Sequence, residues 1–208
     1  MLQQLTQFFV VFFVVVDPIS LIPLFAVLTE GASDGFKKKM ASKAAAIALV
    51  ISVLFALVGA SFLDIMGISL NSFRIAGGTL LFLISLDMVF ARTSGTRSTT
   101  PEREEAQRRE DISVFPLAFP FIAGPGALAT ILLTAGEVAR KPLIFGGFLC
   151  VVTLVVVICW LLMLATPRMM KVFGVTGANV ISRLSGVILA ALAVQFIIDG
   201  LRGSFLVS

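Results

Sequence analysis

The sequence predicts an all-α membrane protein of six transmembrane helices, arranged as an inverted 3+3 repeat with helices 1 and 4 discontinuous. Three observations carry this: the composition, the charge-free windows and an internal likeness between the two halves. Of 208 residues, 58% are hydrophobic and only 13% are charged, against about 25% charged in soluble domains. Windows 44–63, 113–136 and 142–167 hold no charge, and each has the roughly 20 residues needed to cross about 30 Å of hydrocarbon. Three further apolar runs, 5–28, 68–90 and 179–201, are interrupted by Asp17, Arg74 and Arg183 and read as spans with polar insertions. The predicted spans are therefore about 5–28, 44–63 and 68–90 in a first unit (1–91), then about 113–136, 142–164 and 179–201 in a second (112–208).

The first span contains Asp17-Pro18-Ile19-Ser20. A carboxylate at that depth costs roughly 3 kcal/mol on insertion scales, and Pro18 has no amide hydrogen and clashes with the preceding turn. Read as a helix start, the same residues fit, because Asp is a favoured N-cap and Pro a favoured first helical residue. Two half-helices then meet about 18 Å from Leu5, near the bilayer midplane. The start lacks a basic region and a small-residue cleavage site, so it is expected to stay as a span rather than leave as a signal peptide.

Between spans, Thr29 to Ala41 reads as a polar turn carrying Lys37, Lys38 and Lys39. Residues 92–111 form the one long polar stretch, a linker in which Thr100-Pro101-Glu102 with Glu105 and Arg109 suggests a capped surface helix. Sorting the connections alternately puts eleven basic residues on one side and three on the other. By the positive-inside rule the richer side is cytoplasmic, so both termini face out across a bacterial or archaeal plasma (inner) membrane. The net charge of +4 is thus a topology signal and does not point to nucleic acid. Cys150 and Cys159 stand nine residues apart on one apolar run, too far for a disulfide on a straight helix. With no histidine in the chain, they build no metal site.

The fourth span repeats the pattern of the first, with Ala123-Gly124-Pro125-Gly126-Ala127 at the same relative depth. Gly124-Pro125 aligns on Asp17-Pro18 at an offset of 107, and Phe173-Gly174-Val175-Thr176 aligns on Met66-Gly67-Ile68-Ser69 at the same offset. Arg183-Leu184-Ser185-Gly186 follows Arg74-Ile75-Ala76-Gly77 at 109. A repeat three spans long inverts its second copy, and inverted repeats with a break at the same place in each half point to a secondary transporter.

Each break exposes unpaired amides at the positive end of a half-helix, where a carboxylate binds without a basic side chain. Gly124 and Gly126 let a ligand approach the backbone closely. Ser20 and Thr130 supply hydroxyls within about a turn. Asp17 faces an ammonium group, takes up H+ or Na+ as a coupling ion, or caps its own helix. The candidate ligand is a small zwitterionic amino acid of the glycine, alanine or serine type, held by Asp17, Pro18, Ile19, Ser20, Gly124, Pro125, Gly126, Ala127 and Thr130. Two charge pairs at the span ends, Arg74 with Asp199 and Arg183 with Asp87, are candidate outer and inner gates, with interfacial snorkelling as the alternative account.

Asp17-Pro18-Ile19 with Pro23, and Pro116-Leu117-Ala118-Phe119-Pro120 followed by Ile122-Ala123-Gly124-Pro125-Gly126, give the whole chain a resemblance to the MarC family of integral membrane proteins. That family includes an archaeal small neutral amino acid transporter. The resemblance implies six spans as an inverted 3+3 repeat with broken helices one and four. Of the site it carries over Asp17 to Ser20 and Gly124 to Ala127, while Thr130 comes from spacing alone. The leading expectation is a carrier of small neutral amino acids with the bilayer as its surroundings, no enzymatic activity, and no cofactor beyond a coupling ion. The alternatives are a carrier or exporter of another small solute, and a non-transporting membrane protein of the same fold.

Overall fold

The computed structural model describes residues 2–90, 111–139 and 141–205. Every regular element among them is helical: α1 (Leu2–Val16), α2 (Leu21–Leu28), α3 (Asp34–Ile65), α4 (Leu70–Phe90), an irregular segment Ser113–Ile122, and α5 (Pro125–Val138). The remaining stretch, Pro142–Phe205, is helical except at Gly174 (φ 59°, ψ −176°). Its two apolar parts are α6 (Pro142–Val172) and α7 (Asn179–Phe205). Among the described residues five helices are long and apolar enough to cross a membrane, Leu2–Leu28 counting as one. A sixth results if Ser113–Ile122 and α5 are one span bent by 56°.

The helix boundaries differ from expectation at three places, each for a local reason. Ser33 caps α3 by accepting a hydrogen bond from the Phe36 amide at 3.3 Å, and Asp34 places an acidic group in the first turn. The polar turn therefore ends at Ser33, and Lys37, Lys38 and Lys39 ride on the first turns of α3. In 113–136, helix begins only at Pro125, because Pro116 and Pro120 push the residue before each of them out of the α region. Phe115 has φ −125°, ψ 126° and Phe119 has φ −130°, ψ 129°, and both X-Pro peptide bonds are cis. Finally, α6 runs past Pro167 to Val172, so most of the connection expected after residue 164 is helix. The surface helix expected at 100–109 lies outside the described residues.

The centre of the bundle is α5, in which Gly126 to Leu133 are all buried; it packs on α1, α3, α4 and the Pro142–Phe205 stretch. The most extensive helix contact joins α4 to that stretch. Here α4 and α7 run antiparallel at glycine-mediated close approach, the arrangement by which small residues let membrane helices meet. A Cβ on Gly78 would lie 2.8 Å from the Ala193 carbonyl oxygen, one on Gly186 3.1 Å from that of Ser85, and one on Gly200 2.9 Å from that of Asn71. Phe8 of α1 stacks on Phe12 at 5.3 Å and meets Phe148 of α6 at 4.7 Å. Around this core the exposed side chains are themselves apolar, as with Val50, Leu54, Leu57 and Val58 on α3, a surface that suits lipid and not water.

Outside the apolar zone, Lys43 of α3 ion-pairs with Asp111. That bond, with those from the Ser113 hydroxyl and amide, holds the Asp111 carboxyl well below the usual carboxylate range. It ties the entry of the irregular segment to α3.

Candidate functional site

Helical geometry stops after Val16 because Asp17 adopts φ 51°, a left-handed conformation that Asp tolerates better than most residues. The Asp17 amide still donates to the Phe13 carbonyl at 3.0 Å, closing α1, and the Ser20 amide donates to the Asp17 carbonyl at 3.1 Å. Helix resumes at Leu21. The Asp17 carboxylate is 3% exposed. Its Oδ2 accepts hydrogen bonds from the Ser20 hydroxyl and from the Ser182 hydroxyl of α7 at 2.9 Å, and the two hydroxyl oxygens stand 2.8 Å apart. Among the described residues the carboxylate accepts from hydroxyls and not from a helix-start amide, so it does not cap α2, and Ser20, the residue flanking α2, makes no side-chain cap bond either. Sequence reasoning missed Ser182. Its one signal is a hydroxyl next to Arg183 at the start of an apolar run.

The second candidate stretch opens α5. Gly124 (φ −75°, ψ 171°) is the N-cap and Pro125 the first helical residue, which leaves the amides of Gly126 and Ala127 without an acceptor one turn earlier. Backbone leaves no room for a side chain at Gly124, and the ends of neighbouring side chains crowd Gly126. A Cβ on Gly124 would meet the Pro120 carbonyl oxygen at 2.1 Å, and one on Gly126 would meet Leu81 at 2.7 Å and Val15 at 3.5 Å. Val15 precedes Asp17 by two residues, so the last turn of α1 reaches the start of α5. Val15, Ile84, Pro120 and Phe121 line with Gly124 to Ala127 a space of about 10 Å³, the volume of one water. Thr130, also buried, donates its hydroxyl to the Gly126 carbonyl at 2.9 Å. Pro18 is buried, and Ile19 and Ser20 are half-buried, on the α2 side.

The charged residues fall differently from their predicted pairing. Arg74, at the start of α4, ion-pairs with Glu137 at the end of α5, not with Asp199, because the buried α5 delivers its last turn to that point. Asp199 accepts from the Gln195 amide at 2.8 Å. Both Arg74 and Asp199 nevertheless line one cavity of about 340 Å³. Arg183 is exposed, and among the described residues no ion pair joins it to Asp87. At the other end of α6, a second cavity of about 580 Å³ is lined by Thr29, Lys37, Thr166 and Arg168 among others.

An apolar-surfaced helical bundle with several candidate spans and a buried carboxylate at a helix interruption defines a multi-pass integral membrane protein. Residues 2–205 match the family described as MarC family integral membrane protein, and the chain belongs to that family. It is 35% identical over 202 residues to the UPF0056 membrane protein YhcE of Escherichia coli, covering 96% of this chain and 92% of that one. Identity is 37% over 198 residues to a UPF0056 membrane protein of Archaeoglobus fulgidus, with 93% and 90% covered. With UPF0056 membrane protein YvbG of Bacillus subtilis it is 34% over 207 residues, with 99% and 97% covered. No solved structure matches the chain.

Proposed function

We propose that the protein is a secondary transporter of small neutral amino acids, with the ligand held between Asp17 to Ser20 and Gly124 to Ala127. The observation that carries this reading is the Asp17 carboxylate, 3% exposed in the interrupted Leu2–Leu28 helix, two residues beyond Val15, which lines the same small space as Gly124 to Ala127. A charge in that position is costly in lipid, and intramembrane ionisable residues that face a bundle interior mark ligand or ion paths. The unpaired amides of Gly126 and Ala127 suit a carboxylate, and Asp17 suits an ammonium group or a coupling H+ or Na+.

An inverted repeat with helices 1 and 4 discontinuous is part of the proposal. Two findings support it. Gly67 and Gly174, which the sequence alignment superposes, both take positive φ, 68° and 59°, and glycines on both partners mediate the α4–α7 contact. In this reading the termini face outward from the inner membrane, the 340 Å³ cavity opens outward, and the 580 Å³ cavity opens to the cytoplasm. The protein then works as a carrier and not as an enzyme.

Uptake of labelled glycine, alanine and serine into proteoliposomes, with imposed H+ or Na+ gradients, tests the proposal. Uptake that Asp17→Asn and Gly126→Leu both abolish is the expected result. Absence of uptake of all three under either gradient, in either direction, overturns it.

A further inference from the structure

The cavity of about 340 Å³ at the start of α1 lies apart from the two candidate stretches and has its own chemistry. Five helices converge there: α1, α4 at its first turn, α5 at its last, α6 at its first and α7 near its end. Four ionic side chains line it, Arg74, Lys141, Glu137 and Asp199, and their charges sum to zero. Cavities lined by one sign of charge concentrate ions of the other sign. A wall with two charges of each sign offers no such advantage to a simple ion, but matches a solute that carries both.

The four side chains are not equivalent. Arg74 is 18% exposed while its partner Glu137 is 57% exposed. The guanidinium is therefore the fixed member of the pair and the glutamate the one free to turn out to water. A carboxylate arriving from solution can take the place of Glu137 and keep the fork geometry that Arg offers to planar anions. Asp199 is half-buried with a neutral amide on its Oδ1, so its charge is available to an ammonium group. The volume stands at the small end of ligand pockets, which run from about 300 to 1,000 Å³.

Below the charged rim the cavity is floored in part by Val11 of α1 and Leu133 of α5. Val15, one turn further along α1, lines the water-sized space at Gly124 to Ala127, and four residues of helix cover about 6 Å. Along α1 the cavity thus ends one turn short of that space, and along α5 six residues, about 9 Å of helix, separate Leu133 from Ala127.

We infer that this cavity is a second binding position for a zwitterionic α-amino acid, its carboxylate on Arg74 and its ammonium on Asp199, from which the ligand passes down the α1–α5 seam. The inference rests on the carrier reading above and adds an entry position to it. A phosphatidylethanolamine headgroup shares the paired charges, so the test separates the two sources.

Thr134 lines the cavity and supplies a reporter. In a protein carrying Thr134→Cys with Cys150→Ala and Cys159→Ala, modification by a water-soluble thiol reagent is followed in phosphatidylglycerol vesicles free of phosphatidylethanolamine. Alanine at about ten times its dissociation constant is expected to slow the modification about tenfold. Arg74→Gln or Asp199→Asn should remove that protection, and Asp17→Asn should leave it in place. No protection by glycine, alanine or serine overturns the inference, and so does protection by phosphatidylethanolamine alone. Wild-type uptake alongside absent protection leaves the carrier standing without this entry position. Protection without uptake retains the position and removes the carrier.

Discussion

Asp17 combines two properties that substitution separates: a left-handed backbone and a buried carboxylate. Asparagine tolerates the first, and its carbonyl oxygen still accepts from the Ser20 and Ser182 hydroxyls. Alanine meets neither demand and adds roughly 1 to 2 kcal/mol for φ above zero. Thermal unfolding in detergent should therefore rank wild type and Asp17→Asn close together, with Asp17→Ala clearly lower, while both variants lose uptake. Transport by Asp17→Asn at the wild-type rate would show that the charge is not needed. The carboxylate was legible in the sequence as an ionisable residue in an apolar run. Its partner Ser182 was not, since the bond spans 165 positions and a serine near a helix start carries no distinguishing pattern. The Arg74–Glu137 ion pair was not legible for a related reason: spacing placed Arg74 and Asp199 at one face, and only the packing of α5 brings Glu137 to Arg74.

At the scale of elements, the α4–α7 contact is set by glycines whose replacement has backbone on the other side. A methyl at Gly78 faces the Ala193 oxygen at 2.8 Å and the Ile197 amide at 3.1 Å, neither of which yields as a side chain end does. Gly78→Ala should lower stability by about 1 to 3 kcal/mol. Gly146→Ala on α6, with nothing within 4 Å, should be neutral or stabilising by up to about 1 kcal/mol; equal losses at both would disprove the packing argument. The Lys43–Asp111 tie gives a pH-dependent case. The folded Asp111 carboxyl titrates below its unfolded value, so its contribution is fully present above an unfolded pKa of about 3.9 and disappears as pH falls through the folded value. The melting-temperature gap between wild type and Asp111→Asn should be open at neutral pH and close on strong acidification. Spans 2, 3 and 5 were legible because long apolar runs admit little but helix. The irregular 113–122 segment was not, because two X-Pro pairs within an apolar run keep the composition of a span while removing its backbone geometry.

For the whole molecule, the informative relation is between three spaces. Cavities of about 340 and 580 Å³ lie toward opposite ends of α6, and a space of about 10 Å³ lies at the start of α5, lined by Val15, Ile84 and Gly124 to Ala127 among others. Phe148 lines the first and Met163 the second, and fifteen residues of helix separate them by about 22 Å. Asp-Pro and Gly-Pro in the sequence pointed to interruptions near residues 17 and 124, but carried no measure of how closely α1, α4 and α5 approach one another. A carrier of this kind must widen one cavity while the other stays shut, and ligands shift such an equilibrium only by binding its states unequally. Cysteines placed singly at Thr134 and Thr166, one in each cavity, report on the two sides. In a protein freed of Cys150 and Cys159, a substrate amino acid supplied from the Thr166 side alone should raise labelling at one position and lower it at the other. Parallel changes at both would mean a general loosening, and no change at either, in a protein shown to bind the ligand, would mean that the cavities are static features of a protein that does not alternate.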